Sequence, residues 1–337
     1  MASRDLAIDM GTANTSVYQQ GRGIVYDEPT VVGMNARTGE VLAVGNEVAA
    51  MVDARPGGVV SARPLSHGVV TDYEATEQML RLILRRVGIG RFGKTRVLVC
   101  VPTSITGVER RAVEEAVTEA GARGVTPVES PLAAAIGAGL PIQEPIGNMI
   151  VDVGGGTSEI ALVAMGGVVV GSSVRVGGFD MDTAIQEHIR ARYGLGIGEA
   201  MAERLKTTLG SAYPAADARP VEVPGRAMSS AVPTSVQITP EEIREALWPH
   251  VQAIVDATRS CLAESPPELA HDVLEHGIFL TGGGALLRGL EMRLSQECEV
   301  PVHLTERPMT TVVLGAGRLV EYLPDYQAAF VSARRWS

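Results

Sequence analysis

The sequence predicts an α/β fold built of two similar domains that face one another. Three observations carry this. Apolar strand-like runs alternate with helix-period segments along most of the 337 residues. The stretch LAIDMGTANTSVYQ (6–19) is matched by MIVDVGGGTSEIAL (149–162), each reading strand, aspartate, turn with Gly and Thr, strand. The paired acids, Asp9 and Asp152, lie 143 residues apart, a repeat of domain size rather than a solenoid period. The chain is 45% hydrophobic, ample for a sizeable core.

The first quarter reads as strands: DLAID, TSVYQ, GIVYDEPTVVGM and EVLAVG, separated by Gly, Asn and Asp. Asp72 is placed to cap a helix over YEATEQMLRLILRRVG. A buried strand, RVLVCVP, precedes a helix, GVERRAVEEAVTEAGA. A short strand, VTPVES, then leads into an Ala-rich helix from Pro131. Residues 148–178 read as three antiparallel strands, followed by helices at about 180–193 and 198–209. Five prolines, at 214, 220, 224, 233 and 240, mark a loop-and-strand insertion. A long helix over roughly 240–264 follows, then strand GIFLTGGG, helix ALLRGLEMRL, strand PVHL and a final helix. A ligand is expected in the cleft between the two domains.

Net charge is 29 − 39 = −10, which disfavours nucleic acid as a partner. Three widely spaced cysteines, Cys100, Cys261 and Cys298, fit a reduced cytosolic protein better than a disulfide or zinc scaffold. The N-terminus carries Asp5 and Asp9 and has only a short apolar stretch, unlike a signal peptide. The uncharged run Ile160 to Val174 spans 15 residues, too short for a membrane helix, and reads as strands.

The glycine-rich turns carry the chemistry. Glycine lets successive backbone N–H groups approach and point at one anion, as phosphate requires. Thr12, Asn14 and Thr157 add side-chain donors. An aspartate beside phosphate is repulsive unless a cation intervenes, so Asp9 and Asp152 imply Mg²⁺ held through water. There is no GxxxxGK[ST], so the loop is not a P-loop, and DVGGGTSEI lacks the helix that a dinucleotide fingerprint needs after its glycines. A third turn, TGGGALL from Thr281 to Leu287, is expected to open a helix after a strand and cradle a nucleotide's sugar or first phosphate. Each turn alone is equally well an ordinary hairpin or strand–helix turn; the set of three points to a nucleotide.

These residues resemble the actin superfamily, which also holds the seventy-kilodalton heat-shock chaperones and sugar kinases. The nearest resemblance is to the MreB and MreB-like (Mbl) bacterial actins. It is carried by DLAIDMGTANT, GIVYDEPTVV, VLAVGNEV, RPLSHGVVTDYE, VCVPTSIT, VERRAV, PLAAAIGAGLP, VDVGGGTSEIA, AERLKTTLGSA, PPELAHDVLEHGIFLTGGGALLRGL and the GAG at 315–317, and it covers nearly the whole chain.

The resemblance implies two duplicated ribonuclease-H-like domains with a nucleotide cleft between them. Domain I would span 1–145 with a small subdomain at about 30–70, and domain II 146–337 with one at about 180–250. The last helix would pack back on domain I. Gly11, Thr12, Ala13 and Asn14 would bind the β- and γ-phosphates of ATP, as would Gly154, Gly155, Gly156 and Thr157. Asp9 and Asp152 would organise Mg²⁺ and its waters. Glu203 and Lys206 would contact ribose and adenine, and Gly282, Gly283, Gly284, Ala285 and Leu286 would line the rest of the nucleoside. As i, i+3 neighbours, Glu203 and Lys206 share a helix face, where a surface ion pair is the plain alternative.

Several positions depart from the family. Where an acid normally precedes the proline of the Ala-rich helix and orients the attacking water, Ser130 stands in VESPLAAAIG. A serine hydroxyl is a poor base, so hydrolysis is expected to be slower by about 10²–10⁴-fold. Asp152, Thr157 and Ser130 are therefore the candidate catalytic set. Glu129 is adjacent, but strand alternation points it to the opposite face. Phe179 replaces an acid and His67 replaces another; neither receives a role, and His67 reads as a surface variant.

The resemblance also implies paired protofilaments on the inner face of the cell membrane, organising cell-wall synthesis machinery. Co-assembly with a second family member is favoured by Ser130. The chain enters its first strand too soon for an amphipathic anchor helix. Membrane contact then falls to Arg85–Arg96, where Ile89 and Phe92 would insert among basic residues; packing of that loop on its own domain is the alternative. A sugar kinase or phosphatase and a chaperone-like ATPase are the competing functions. The first lacks the insertions expected of a sugar site, and the second lacks room for a peptide-binding domain.

Overall fold

The computed structural model describes residues 5–89, 95–214 and 219–322. Two five-stranded sheets dominate it. In the first, the order is Gly124–Glu129, Arg96–Val101, Leu6–Met10, Asn14–Gln19, Gly23–Pro29. In the second it is Gly167–Val174, Ser158–Ala164, Asn148–Val153, Ile278–Thr281, Val302–Leu304. Read from their outer parallel strands, the sheets have one plan: two parallel strands, a central strand, and two antiparallel strands. The central strands carry Asp9 and Asp152 in equivalent places. Asp9 lies between Ser16 and Cys100, and Asp152 between Glu159 and Thr281. The repeat in the sequence is thus a repeat of topology.

The central strands are buried on both faces, so they read as apolar runs without strict alternation. Helices cover each sheet. Tyr73–Arg86 starts at Asp72, whose side chain accepts the N–H of Ala75, and it buries Met79, Leu80, Ile83 and Leu84. Pro240–Glu264 starts with a capping box between Thr239 and Glu242, with proline at its first position where no N–H is required. Small sheets attach to each half. One pairs Val41–Val44, Val32–Asn35 and Val59–Ala62; the other pairs Leu195–Gly196, Val221–Ala227 and Pro233–Ile238. The proline-rich insertion therefore forms a hairpin, apart from residues 215–218, which lie outside the described residues.

Two helices join the halves. Ser130–Gly137 follows the last strand of the first sheet, and Thr311–Glu321 follows the last strand of the second. Together they pack between the sheets in one core that takes Ala7, Leu98 and Cys100 from one side and Ile150, Ala161 and Val163 from the other. Their crossing is backbone to backbone: a Cβ on Gly315 would overlap the carbonyl oxygen of Ala133, and one on Gly137 that of Thr311. Gly317 likewise lies against the ring of Tyr18.

Three sequence readings need correction. The run GIVYDEPTVVGM is two strands in different sheets, broken after Pro29, where Thr30 turns its N–H to Ala13. Two helices, Glu47–Ala54 and Pro267–His276, stand where the sequence pattern marks no element. The glycine-rich turn after Thr281 opens only a single 3₁₀ turn, Gly283–Leu286; Gly289, in the left-handed region, separates it from the helix Leu290–Cys298.

Candidate functional site

The two glycine-rich hairpin turns meet face to face at the ends of the central strands. A Cβ on Gly155 would lie 2.5 Å from the Cβ of Ala13 and 3.1 Å from its nitrogen, and one on Gly156 would lie 2.8 Å from Thr12 Oγ1. Only glycine allows this approach. Each turn is braced from behind. Thr30 donates its hydroxyl to Gly11 O at 2.7 Å and its N–H to Ala13 O at 2.8 Å. In the second turn, Gly154 N–H reaches Thr157 O at 2.8 Å, closing it. The start of the helix Gly178–Tyr193 supports it further, with Gly178 N–H on Gly154 O at 3.0 Å and Phe179 N–H on Gly155 O at 2.8 Å.

Asp9 and Asp152 are the penultimate residues of the central strands, beneath these turns. Both are surrounded by protein, yet each keeps part of its surface open. Burial, then the charge of Asp27, pushes the Asp9 carboxyl up to about 7. Burial, then Asp9 and Glu159, pushes Asp152 up to about 8. Two enclosed carboxylates that burial and neighbouring acids both keep from ionising are the donor set a divalent ion suits. Among the described residues no group of three or more His, Cys, Asp or Glu forms a metal cage. A cation at the aspartates would therefore complete its shell with water and ligand oxygens.

The third turn packs against the second. A Cβ on Gly282, which has φ +86°, would overlap Val153 O and Asp152 Oδ1, and one on Gly284 would overlap the Val153 side chain. Ala285 is buried and Leu286 is 55% exposed. With no α-helix starting there, this turn offers backbone groups and an apolar side chain, not a helix dipole. Lys206 Nζ donates to Gly178 O and Asp182 Oδ2, both at 2.8 Å, so it ties its own helix to the first turn behind the second hairpin. Glu203 on the same helix is exposed and shares no hydrogen bond with Lys206.

Ser130 is the first residue of the Ala-rich helix, and its hydroxyl donates to Val101 O at 3.1 Å. The neighbouring Glu129 has its carboxyl raised by burial and by Glu159 across the halves, against the pull of Arg110. Glu159 is itself raised by burial and accepts from Thr103 N–H and Ser173 Oγ. Ile89 is half-buried against the core of the first half, so its side chain packs on the domain; Phe92 lies outside the described residues.

His67 is not a bare surface variant. Its Nε2 lies 3.1 Å from Asp180 Oδ1, in the opposite half. Phe179 also has a partner, the Arg63 guanidinium 4.2 Å above its ring. The sequence marked both residues as departures from the family pattern, but nothing in it pointed to their partners, Asp180 and Arg63.

The MreB/Mbl protein family matches residues 3–328. The chain belongs to this family. It is 47% identical over 329 residues to the cell shape-determining protein MreB of Escherichia coli K12, covering 96% of this chain and 95% of that protein. It is 43% identical over 322 residues to the cell shape-determining protein Mbl of Bacillus cereus, covering 95% and 97%. Among solved structures, MreB5 of Spiroplasma citri bound to ADP superimposes with a TM-score of 0.89 at 32% identity, over 96% of this chain and 99% of that one. A MamK double helical filament superimposes with a TM-score of 0.79 at 22% identity, over 95% and 99%, which shows the fold alone. The fold is actin-like, and the chain is a member of an actin-like, cell shape-determining family.

Proposed function

We propose that this chain is a bacterial actin-like cytoskeletal protein that binds ATP–Mg²⁺ between its two halves. The observation that carries this is the pair of opposed hairpin turns over two enclosed aspartates. The amides of 11–14 and 154–157 would hold the β- and γ-phosphates, and Asp9 and Asp152 would hold the waters of Mg²⁺. The cation, when bound, supplies charge neutralisation on phosphate oxygens. Gly282 to Leu286 would line the nucleoside. Glu203 and Lys206 would edge its sugar and base, with Lys206 reaching it only by exchanging one of its two present acceptors. The S. citri MreB5 structures with ADP and AMPPNP support nucleotide binding in this fold.

The chain would polymerise into paired protofilaments at the inner face of the cell membrane and organise cell-wall synthesis there; the cell shape-determining relatives support the role in shape. Among the described residues no helix is long and apolar enough to cross a membrane; membrane contact through the 85–96 loop would not use Ile89 without unpacking it, and Phe92 lies outside the described residues. Co-assembly with a second family member fits slow hydrolysis. Ser130 spends its hydroxyl proton on Val101 O and presents no carboxylate, so water orientation would be weak. ATP-dependent sedimentation followed by electron microscopy tests the reading. Double filaments that need ATP are expected; a folded chain that stays soluble and instead turns over ATP with a sugar would favour a kinase.

A further inference from the structure

The segment 63–68 belongs to the first half of the chain but is bonded both to the first phosphate turn and to the helix start that holds the second. Gly68 N–H donates to Thr12 Oγ1 at 2.9 Å, which fixes the segment on the first turn. A Cβ on Gly68 would lie 3.4 Å from Thr157 Cγ2, so the backbone passes directly beside the second turn. His67 sits at φ 46°, a left-handed conformation that aims its ring across to the second half. There Nε2–H donates to Asp180 Oδ1, while the Ser66 hydroxyl is placed to donate to Nδ1 at 3.1 Å, which sets the tautomer. The other oxygen of Asp180 accepts Gly177 N–H at 2.8 Å. Gly178 and Phe179 N–H hold the carbonyls of Gly154 and Gly155. One step away, the Arg63 guanidinium covers the Phe179 ring at 4.2 Å, with Glu199 at 3.9 Å. These contacts form a closed chain from Thr12, through residues 63–68 and the start of the second-half helix, to Gly154 and Gly155.

We infer that residues 63–68 form a clasp across the mouth of the cleft, and that the Arg63–Phe179 and His67–Asp180 contacts set how fast nucleotide leaves. The inference rests on the reading of the cleft as an ATP site. Opening the cleft moves the two turns apart, and the clasp is bonded to the first turn directly and to the second through the helix start that carries Phe179 and Asp180. The Arg63–Phe179 and His67–Asp180 contacts must therefore break before the phosphates are released. A guanidinium on an aromatic face and a hydrogen bond to a carboxylate are each modest at a half-exposed site, and losing either is expected to speed release by about 3–10-fold.

The test is release of a preloaded fluorescent ATP analogue with Mg²⁺, chased with excess unlabelled ATP, at protein concentrations that keep the chain monomeric. His67→Asn is the main variant, because asparagine tolerates the left-handed backbone but is too short to reach Asp180. Arg63→Gln and Phe179→Ala break the other contact, and their double variant closes a cycle. Arg63 is 40% exposed at its side chain, so Arg63→Gln keeps the fold. Faster release in each single variant is expected, with the effect of Arg63→Gln at least halved when Phe179 is already alanine. Tight binding with release within twofold of the wild type in all variants overturns the clasp alone. A wild-type chain that binds no analogue overturns the clasp and the ATP reading together.

Discussion

Replacing Asp152 by asparagine should stabilise the nucleotide-free protein at high pH. Asp152 has its carboxyl pushed from 3.8 to about 8, chiefly by burial, then by Asp9 and Glu159. A carboxyl raised in the folded state binds its proton more tightly there than in the unfolded chain. Its stability contribution is therefore full below 3.8 and is lost as pH rises through about 8. At 1.36 kcal/mol per pKa unit, the loss approaches about 5 kcal/mol at pH 8 for a fully enclosed group. Because the carboxylate keeps part of its surface open, about 2–3 kcal/mol is the expected figure. The asparagine variant is nearly isosteric and cannot ionise. It should match the wild type near pH 4 and exceed it by about 2–3 kcal/mol at pH 8 in denaturant unfolding without nucleotide or Mg²⁺. Adding Mg²⁺ and ATP should reverse the order, since the ligands stabilise only the chain that binds them. A variant no more stable than the wild type at pH 8, or an equal gain at pH 4 and pH 8, would refute the argument that Asp152 is an enclosed, strained charge.

Three further outcomes are expected. Gly315→Ala, which in an exposed helix would gain about 1 kcal/mol, should instead cost about 3 kcal/mol or more, because its Cβ overlaps Ala133 O at the helix crossing; chemical denaturation reads this. Gly155→Ala should weaken ATP by about tenfold or more, since its Cβ would stand 2.5 Å from that of Ala13 and force the turns apart; equilibrium titration with a labelled analogue checks it, and unchanged affinity would place the phosphates elsewhere. Wild-type filaments should release phosphate slowly, and Ser130→Glu should raise the rate by about 10-fold or more by restoring a carboxylate beside Val101; a wild-type rate already equal to that of the glutamate variant would remove Ser130 from the account.

What the sequence revealed was local and strongly patterned. The two hairpins could be read because an aspartate, a glycine turn and a strand recur in one order. The helix Tyr73–Arg86 could be read because Asp72 caps it, and Pro240–Glu264 because its apolar positions recur with helical period over a long stretch. The helix Glu47–Ala54 was hidden because it buries only Val48 and its N-cap Asn46 makes no side-chain bond. The helix Pro267–His276 lies behind the Pro266–Pro267 pair, where proline at the first helical position is favourable rather than disruptive. The third turn misled for a related reason: the periodicity of ALLRGLEMRL ignores Gly289, whose left-handed backbone ends one element and starts the next. Contacts between distant segments left no local trace. The glycine crossing of the two joining helices and the pairing of His67 with Asp180 depend on where separate segments meet.

The most direct test of the central claim is a structure of this chain with ATP and Mg²⁺ bound. The account predicts phosphates between residues 11–14 and 154–157, with Mg²⁺ joined through water to Asp9 and Asp152. Nucleotide seated away from the two opposed turns, or a cation that ignores both aspartates, would contradict it.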